Sequence, residues 1–185
     1  MTFEEWESSN NAPEMLAALH AEQPRFLRKQ VPQLHRFLIA CCWKHQNLIP
    51  QDGLRDGLRG AEAWIAGKIS KAELNRLNWY AEADAFRIDY AKSPEEISEI
   101  RLMIDGIEEL RQLPFETARQ KLLDAAYFAE GSMIYPMIER LPWVESLLTS
   151  QFLCADLLRK YIAPHLAGHP DRKGSKGFIY QLFRN

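Results

Sequence analysis

Three hydroxyl residues in this chain are followed, three positions later, by a glutamate: Thr2 by Glu5, Ser70 by Glu73, and Ser93 by Glu96. At that spacing the hydroxyl oxygen can accept from a first-turn backbone N–H while the carboxylate reaches back to the cap's own N–H, so each pair predicts a helix start. The prolines agree. Pro13, Pro32, Pro94, Pro114 and Pro142 each follow a plausible cap or loop residue, where a missing first-turn N–H costs nothing. Gly67 after "GAEAWIA" and Gly131 after "LLDAAYFAE" stand where a helix favours a left-handed closing residue. A chain punctuated in this way is expected to fold into many helices joined by short links.

The hydrophobic periodicity fits the punctuation. Ile97, Ile100, Ile104 and Ile107 recur at helical spacing among polar intervals, and Val144, Leu147, Leu148, Cys154, Leu158, Tyr161 and Ile162 draw a stripe through "LPWVESLLTSQFLCADLLRKYIAP". Helices are predicted near 33–46, 71–90, 94–111, 115–130 and 143–162. "GSMIYPMIERLPW" is broken by Pro136 and Pro142, and "QDGLRDGLRGAEAW" is weakened by Gly53, Gly57 and Gly60, each costing about 1 kcal/mol against alanine in a helix. If that glycine segment is helical, its glycines share one face and let another backbone approach closely. It is not a phosphate loop, because no strand precedes it and no Lys-Ser or Lys-Thr follows. No segment alternates apolar and polar residues between turn dipeptides. The expected fold is all-α: a single-domain bundle of about seven or eight helices over residues 1–164, with an irregular tail over 165–185.

Composition narrows the function classes. The chain has 185 residues, 46% of them hydrophobic, enough for one ordinary core. Lys plus Arg number 23 against 25 Asp plus Glu, so no global charge points to nucleic acid or to an anionic membrane. The three cysteines are an odd number, and two of them are adjacent in sequence, which favours a reducing compartment over a disulfide framework. The opening "MTFEEWESSNNAPEM" has neither the basic segment nor the apolar segment of a signal peptide, and no run of about 18 apolar residues occurs. A cytoplasmic protein with no membrane role is expected.

The segment "FLIACCWKH", residues 37–45, concentrates the candidate chemistry. In a helix opened by Pro32, the residues Leu34, Phe37, Leu38, Cys41, Cys42 and His45 form one continuous face. Such a stripe reads as the inner side of a core helix, in which cysteine acts as a small hydrophobe. The alternative is a cation held by Cys41 and His45 with His35 or Cys154 completing a tetrahedral set. No second CxxC or HxxxH pair within the helical body supports it, since His165 and His169 lie among Pro164, Gly168 and Pro170. A nucleophilic cysteine needs an electropositive, partly exposed niche, whereas these two occupy the middle of an apolar stripe. Glu4 with Glu5, Glu95 with Glu96, and Glu108 with Glu109 sit near helix starts or on polar faces, and they read as solvated charge. No catalytic residue, metal or cofactor is assigned.

Four stretches carry a resemblance: "MTFEEW" with "PEMLAAL", "FLIACCWKH", "GAEAWIAGKISKAEL" and "QFLCADLLRKYIAP". With these the chain resembles an uncharacterised family of helical bacterial domains common in planctomycete-type genomes, which has an Ala-Cys-Cys helix element. It departs from the family in Trp43, Lys44 and His45, where basic residues usually follow the Cys-Cys pair, and in lacking a Gly-Asn-Pro-Phe end. The resemblance implies a helical fold and an architectural role for the cysteine pair, and it brings no activity.

After Pro164 the chain turns basic and then aromatic. Arg172, Lys173, Lys176 and Arg184 surround Phe178, Tyr180 and Phe183. These seven residues are the candidate interaction site. The aromatics are expected to dock on the helical body, because free large apolar side chains reduce solubility. The leading functional expectation is a small helical protein-interaction module, such as an adaptor, a regulatory domain or an immunity-type inhibitor, with a protein partner. The alternative is nucleic-acid association through the tail and through Arg25, Arg28 and Lys29.

Overall fold

The computed structural model describes residues 1–137 and 141–164. Among them run ten α-helices and no strand: α1 (Phe3–Ser8), α2 (Ala12–Glu22), α3 (Pro24–Lys29), α4 (Val31–Lys44), α5 (Asp52–Ile65), α6 (Lys71–Asp89), α7 (Pro94–Asp105), α8 (Phe115–Met133), α9 (Leu141–Leu148) and α10 (Ala155–Tyr161). Short 3-10 turns lie at Gln46–Leu48 and Tyr135–Met137. The all-α expectation holds. The count of seven or eight does not, because residues 3–29 form three short helices and the segment 143–162 is split.

Local chemistry places the helix starts. Thr2 with Glu5 and Ser93 with Glu96 form complete capping boxes, while Ser70 accepts from the Glu73 N–H without the reciprocal bond. Pro13, Pro32 and Pro94 lie in first turns. Gly67, at φ 69°, closes the turn after α5 in the left-handed region that glycine enters without penalty. Gly131 does not close α8. It lies inside that helix, which runs on to Met133, and a Cβ there would press against Leu147 at 3.0 Å. The helix predicted over 94–111 stops at Asp105, and Ile107 stays buried from the turn beyond.

The core is built around α4, α5, α6 and α8, with α4 against α8, α5 and α10, and α6 against α5 and α8. Phe37, Leu34, Leu38, Leu54, Leu58, Leu74 and Leu122 are fully enclosed there, and each such side chain contributes roughly 1.5–3 kcal/mol over an exposed one. The glycine-weakened segment is a helix after all. Gly57 faces Met133 of α8 and Gly60 faces Leu77 of α6, so a Cβ at either would collide. The helical cost of glycine is offset by the closeness it permits. Arg119 of α8 donates to the carbonyls of Ile88, Asp89 and Ala91, capping the carboxyl end of α6 at 2.8–3.2 Å.

The largest departure concerns residues 143–162. The chain leaves helix after Leu148 and re-enters it at Ala155. Thr149 turns its hydroxyl onto the Glu145 carbonyl, and the Ser150 hydroxyl accepts the Phe152 N–H at 3.3 Å. Phe152 is buried at this break, with its ring 5.5 Å from both Phe128 and His45. The apolar stripe counted as one helix therefore comes from two helices and a buried turn. α10 is tied to the opposite end of the chain by Arg159, which donates to the carbonyls of Trp6 and Ser9.

Candidate functional site

The cysteine helix divides its polar groups between two environments. Cys42 is fully enclosed, and burial pushes its thiol up to about 12, with the Ser132 hydroxyl as its polar neighbour. His35 is also enclosed. Its Nε2 lies 3.0 Å from the Met133 carbonyl, its Nδ1 meets no partner, and its ring is 5.7 Å from Trp64. Burial lowers its pKa to about 4, so it is neutral at pH 7. His35 thus belongs to the α4–α8 packing and takes no part with Cys41 and His45. Trp43 turns to another side, where its indole N–H donates to Glu62 at 2.9 Å.

At the carboxyl end of α4 the break before α10 brings in the third thiol. Cys154, 8% exposed, places its Sγ 3.5 Å from His45 Nε2, and its own thiol donates to the Phe152 carbonyl. Lys44 is paired with Asp156 at 3.1 Å. Burial holds the Cys154 thiol above its usual range, against the opposing charge of Lys44. Burial also lowers the His45 imidazole, assisted by the Lys44 charge. Of the residues that the sequence offered to a cation, Cys154 and His45 meet, and His35 lies apart among the α4–α8 packing. Among the described residues no group of three or more His, Cys, Asp or Glu side chains is placed to hold a metal ion.

The glutamate pairs behave as solvated charge. All six residues are exposed, and Glu5 and Glu96 serve as helix caps. A cleft of about 410 Å³ beside α8 is lined in part by Asp124, Tyr127, Ser146, Gln151 and Phe152, with no histidine or cysteine among its described walls. Arg25, Arg28 and Lys29 are exposed on α3. The tail residues Arg172, Lys173, Lys176, Phe178, Tyr180, Phe183 and Arg184 lie outside the described residues, and so does the docking expected of them.

A surface that the sequence reading passed over lies on α6. Trp79 is 70% exposed, Tyr90 63%, Tyr80 52% and Phe86 40%. Trp79, Phe86 and Tyr90 stand at i, i+7 and i+11, so they share one face of the helix. Phe86 and Tyr90 meet edge to face at 5.5 Å, Trp79 and Tyr80 lie 6.3 Å apart, and Arg76 sits over the Tyr80 ring. The signal was available in "LNWYAEADAFRIDY", where alanines and aliphatics fill one stripe and aromatics a second. Comparison of the chain with family models, with curated proteins and with solved structures gives no match.

Proposed function

We propose that this chain is a small cytoplasmic helical protein-interaction module, adaptor, regulatory or immunity-type in character, which binds a partner protein through the outer face of α6. The observation that carries this reading is the exposed aromatic stripe of Trp79, Tyr80, Phe86 and Tyr90 with Arg76 and Arg87 beside it. Aromatic residues and arginine are the types that dominate interface hot spots. Four large exposed rings on one helix exceed the scattered exposure that needs no explanation. Membership of the helical bacterial family with the Ala-Cys-Cys element is part of the same proposal.

The test is a comparative pull-down from host lysate, read by quantitative mass spectrometry. It uses wild type, a Trp79→Ala/Phe86→Ala/Tyr90→Ala variant and an Arg25→Ala/Arg28→Ala/Lys29→Ala variant. Expected is a partner kept by wild type and by the α3 variant, and reduced tenfold or more by the α6 variant. Equal retention by all three proteins ends the reading. A second reading, nucleic-acid association, is favoured by the three exposed cations of α3, which make no ion pair among the described residues. Salt-dependent oligonucleotide binding that is weakened by the α3 variant would put it ahead.

A further inference from the structure

The outward side of α6 carries a pattern of large and small side chains that fits a copy of itself. Ala72, Arg76, Trp79, Ala83, Phe86 and Tyr90 recur at alternating spacings of four and three along the helix and its C-cap, so they fall on one narrow stripe. All six are exposed. We propose that this stripe is the contact between two copies of the chain, which pair their α6 helices antiparallel in a two-fold dimer. The inference rests on the reading of α6 as the binding face, and it names the partner which that face takes.

Side-chain size sets the register. With the two-fold axis level with Ala81, Trp79 of one copy lies opposite Ala83 of the other, Tyr90 opposite Ala72, and Phe86 opposite Arg76. Each ring then meets a methyl group or a guanidinium: an alanine leaves the hollow that a ring fills, and a guanidinium stacks on a ring face. Sliding the pairing one heptad toward the carboxyl ends sets Trp79 against Tyr90, ring on ring, and sliding it the other way carries Phe86 and Tyr90 past the start of the facing helix. Parallel pairing would stack Arg76 on Arg76. Charge points to the same register. Glu73 and Arg87 lie on one edge of the stripe, seven residues to either side of Tyr80, so antiparallel pairing brings Glu73 of each copy beside Arg87 of the other. Within the chain Glu73 pairs with Arg76 at 2.7 Å and Arg87 with Asp84 at 4.0 Å, each across one turn of α6, and such surface pairs cost little to exchange. On the other edge Glu82 of the two copies comes level, a like-charge contact that weakens the pairing. One helix face about 28 Å long and 10 Å wide also covers less than the roughly 800 Å² that each partner buries in a standard interface. The dimer expected is therefore reversible, in the micromolar range, and dissociates on dilution.

Full-length protein is to be followed by sedimentation equilibrium from low micromolar to near-millimolar concentration, with helical circular dichroism as the check that each variant folds. Wild type is expected to pass from monomer to dimer, and Trp79→Ala to weaken association roughly tenfold or more. Glu73→Arg and Arg87→Glu should each weaken self-association, because each sets like charges together at two contacts. An equimolar mixture of these two variants should form a mixed dimer about as tight as the wild-type one, since every such contact is again between opposite charges. A wild type that stays monomeric at every concentration would overturn the proposal, as would a dimer indifferent to Trp79→Ala or a mixture no tighter than the separate variants. A monomeric wild type that still captures another protein through Trp79, Phe86 and Tyr90 would end this inference and leave α6 as a binding face. A monomeric wild type with equal retention by all three pull-down proteins would end both.

Discussion

Helices α4 and α6 both cross the core, yet they place their phenylalanines in opposite ways. In α4 Phe37 is fully enclosed, flanked by Leu34, Leu38, Cys41 and Cys42, and Trp43 is half-buried to one side. In α6 the buried stripe is Leu74, Ala81, Ala85 and Ile88, and Trp79, Phe86 and Tyr90 face out. The cause is the neighbour. α6 packs against α5, whose Gly60 leaves room for Leu77 and whose Gly57 faces Ala81 as well as Met133. An interface that close admits alanine and excludes tryptophan, so the ring-bearing face of α6 is displaced to solvent. Hydrophobicity alone does not decide burial; the space left by the facing helix does.

The largest expected difference between the two helices is in side-chain deletion. Phe37→Ala should cost about 3–5 kcal/mol in urea unfolding, through lost transfer and a residual cavity. Next comes the buried imidazole of α4. His35 has a folded-state pKa of about 4, below the usual 6.5, so the unfolded chain takes up a proton first as pH falls. Stability conferred by the neutral ring is therefore full above pH 6.5 and is lost between 6.5 and 4, by roughly 3 kcal/mol. Denaturant midpoints from pH 7.5 to 4 should fall accordingly, and His35→Phe should flatten most of that slope. The lowered His45 adds a loss in the same direction.

A smaller effect sharpens the account of α6. Gly57→Val drives a branched side chain into Met133 and Ala81, and it should cost about 1–3 kcal/mol by overpacking. Valine at Gly67, where nothing lies within 4 Å of a Cβ, would suffer from the positive φ instead. At Cys42, alanine should cost about 1 kcal/mol. Serine should cost no more than alanine, because its hydroxyl would meet Ser132, whose own hydroxyl donates to the Phe128 carbonyl at 2.6 Å. Smallest of all, Trp79→Ala should change stability by less than about 0.5 kcal/mol. A Trp79→Ala cost approaching that of Phe37→Ala in the same urea series would erase the contrast between the helices.

What the chain's own order of residues determined is local. Caps act over three residues and amphipathic stripes over four, so the starts at Phe3, Lys71 and Pro94, the turn at Gly67 and the buried face of α4 were all legible. The tertiary structure decided what depends on distant partners. The stripe from Val144 to Ile162 satisfies a helix at every local test. It breaks where Phe152 packs between Phe128 of α8 and His45 of α4, partners that no local test includes. That break makes Cys154 a neighbour of His45, a residue far away along the chain. Likewise, which stripe of α6 would be buried could not be read from α6 itself, since alanines and aromatics compete for the core and the glycines of α5 choose between them. Short-range hydrogen bonding writes the helices into the sequence, and close packing between helices assigns their faces.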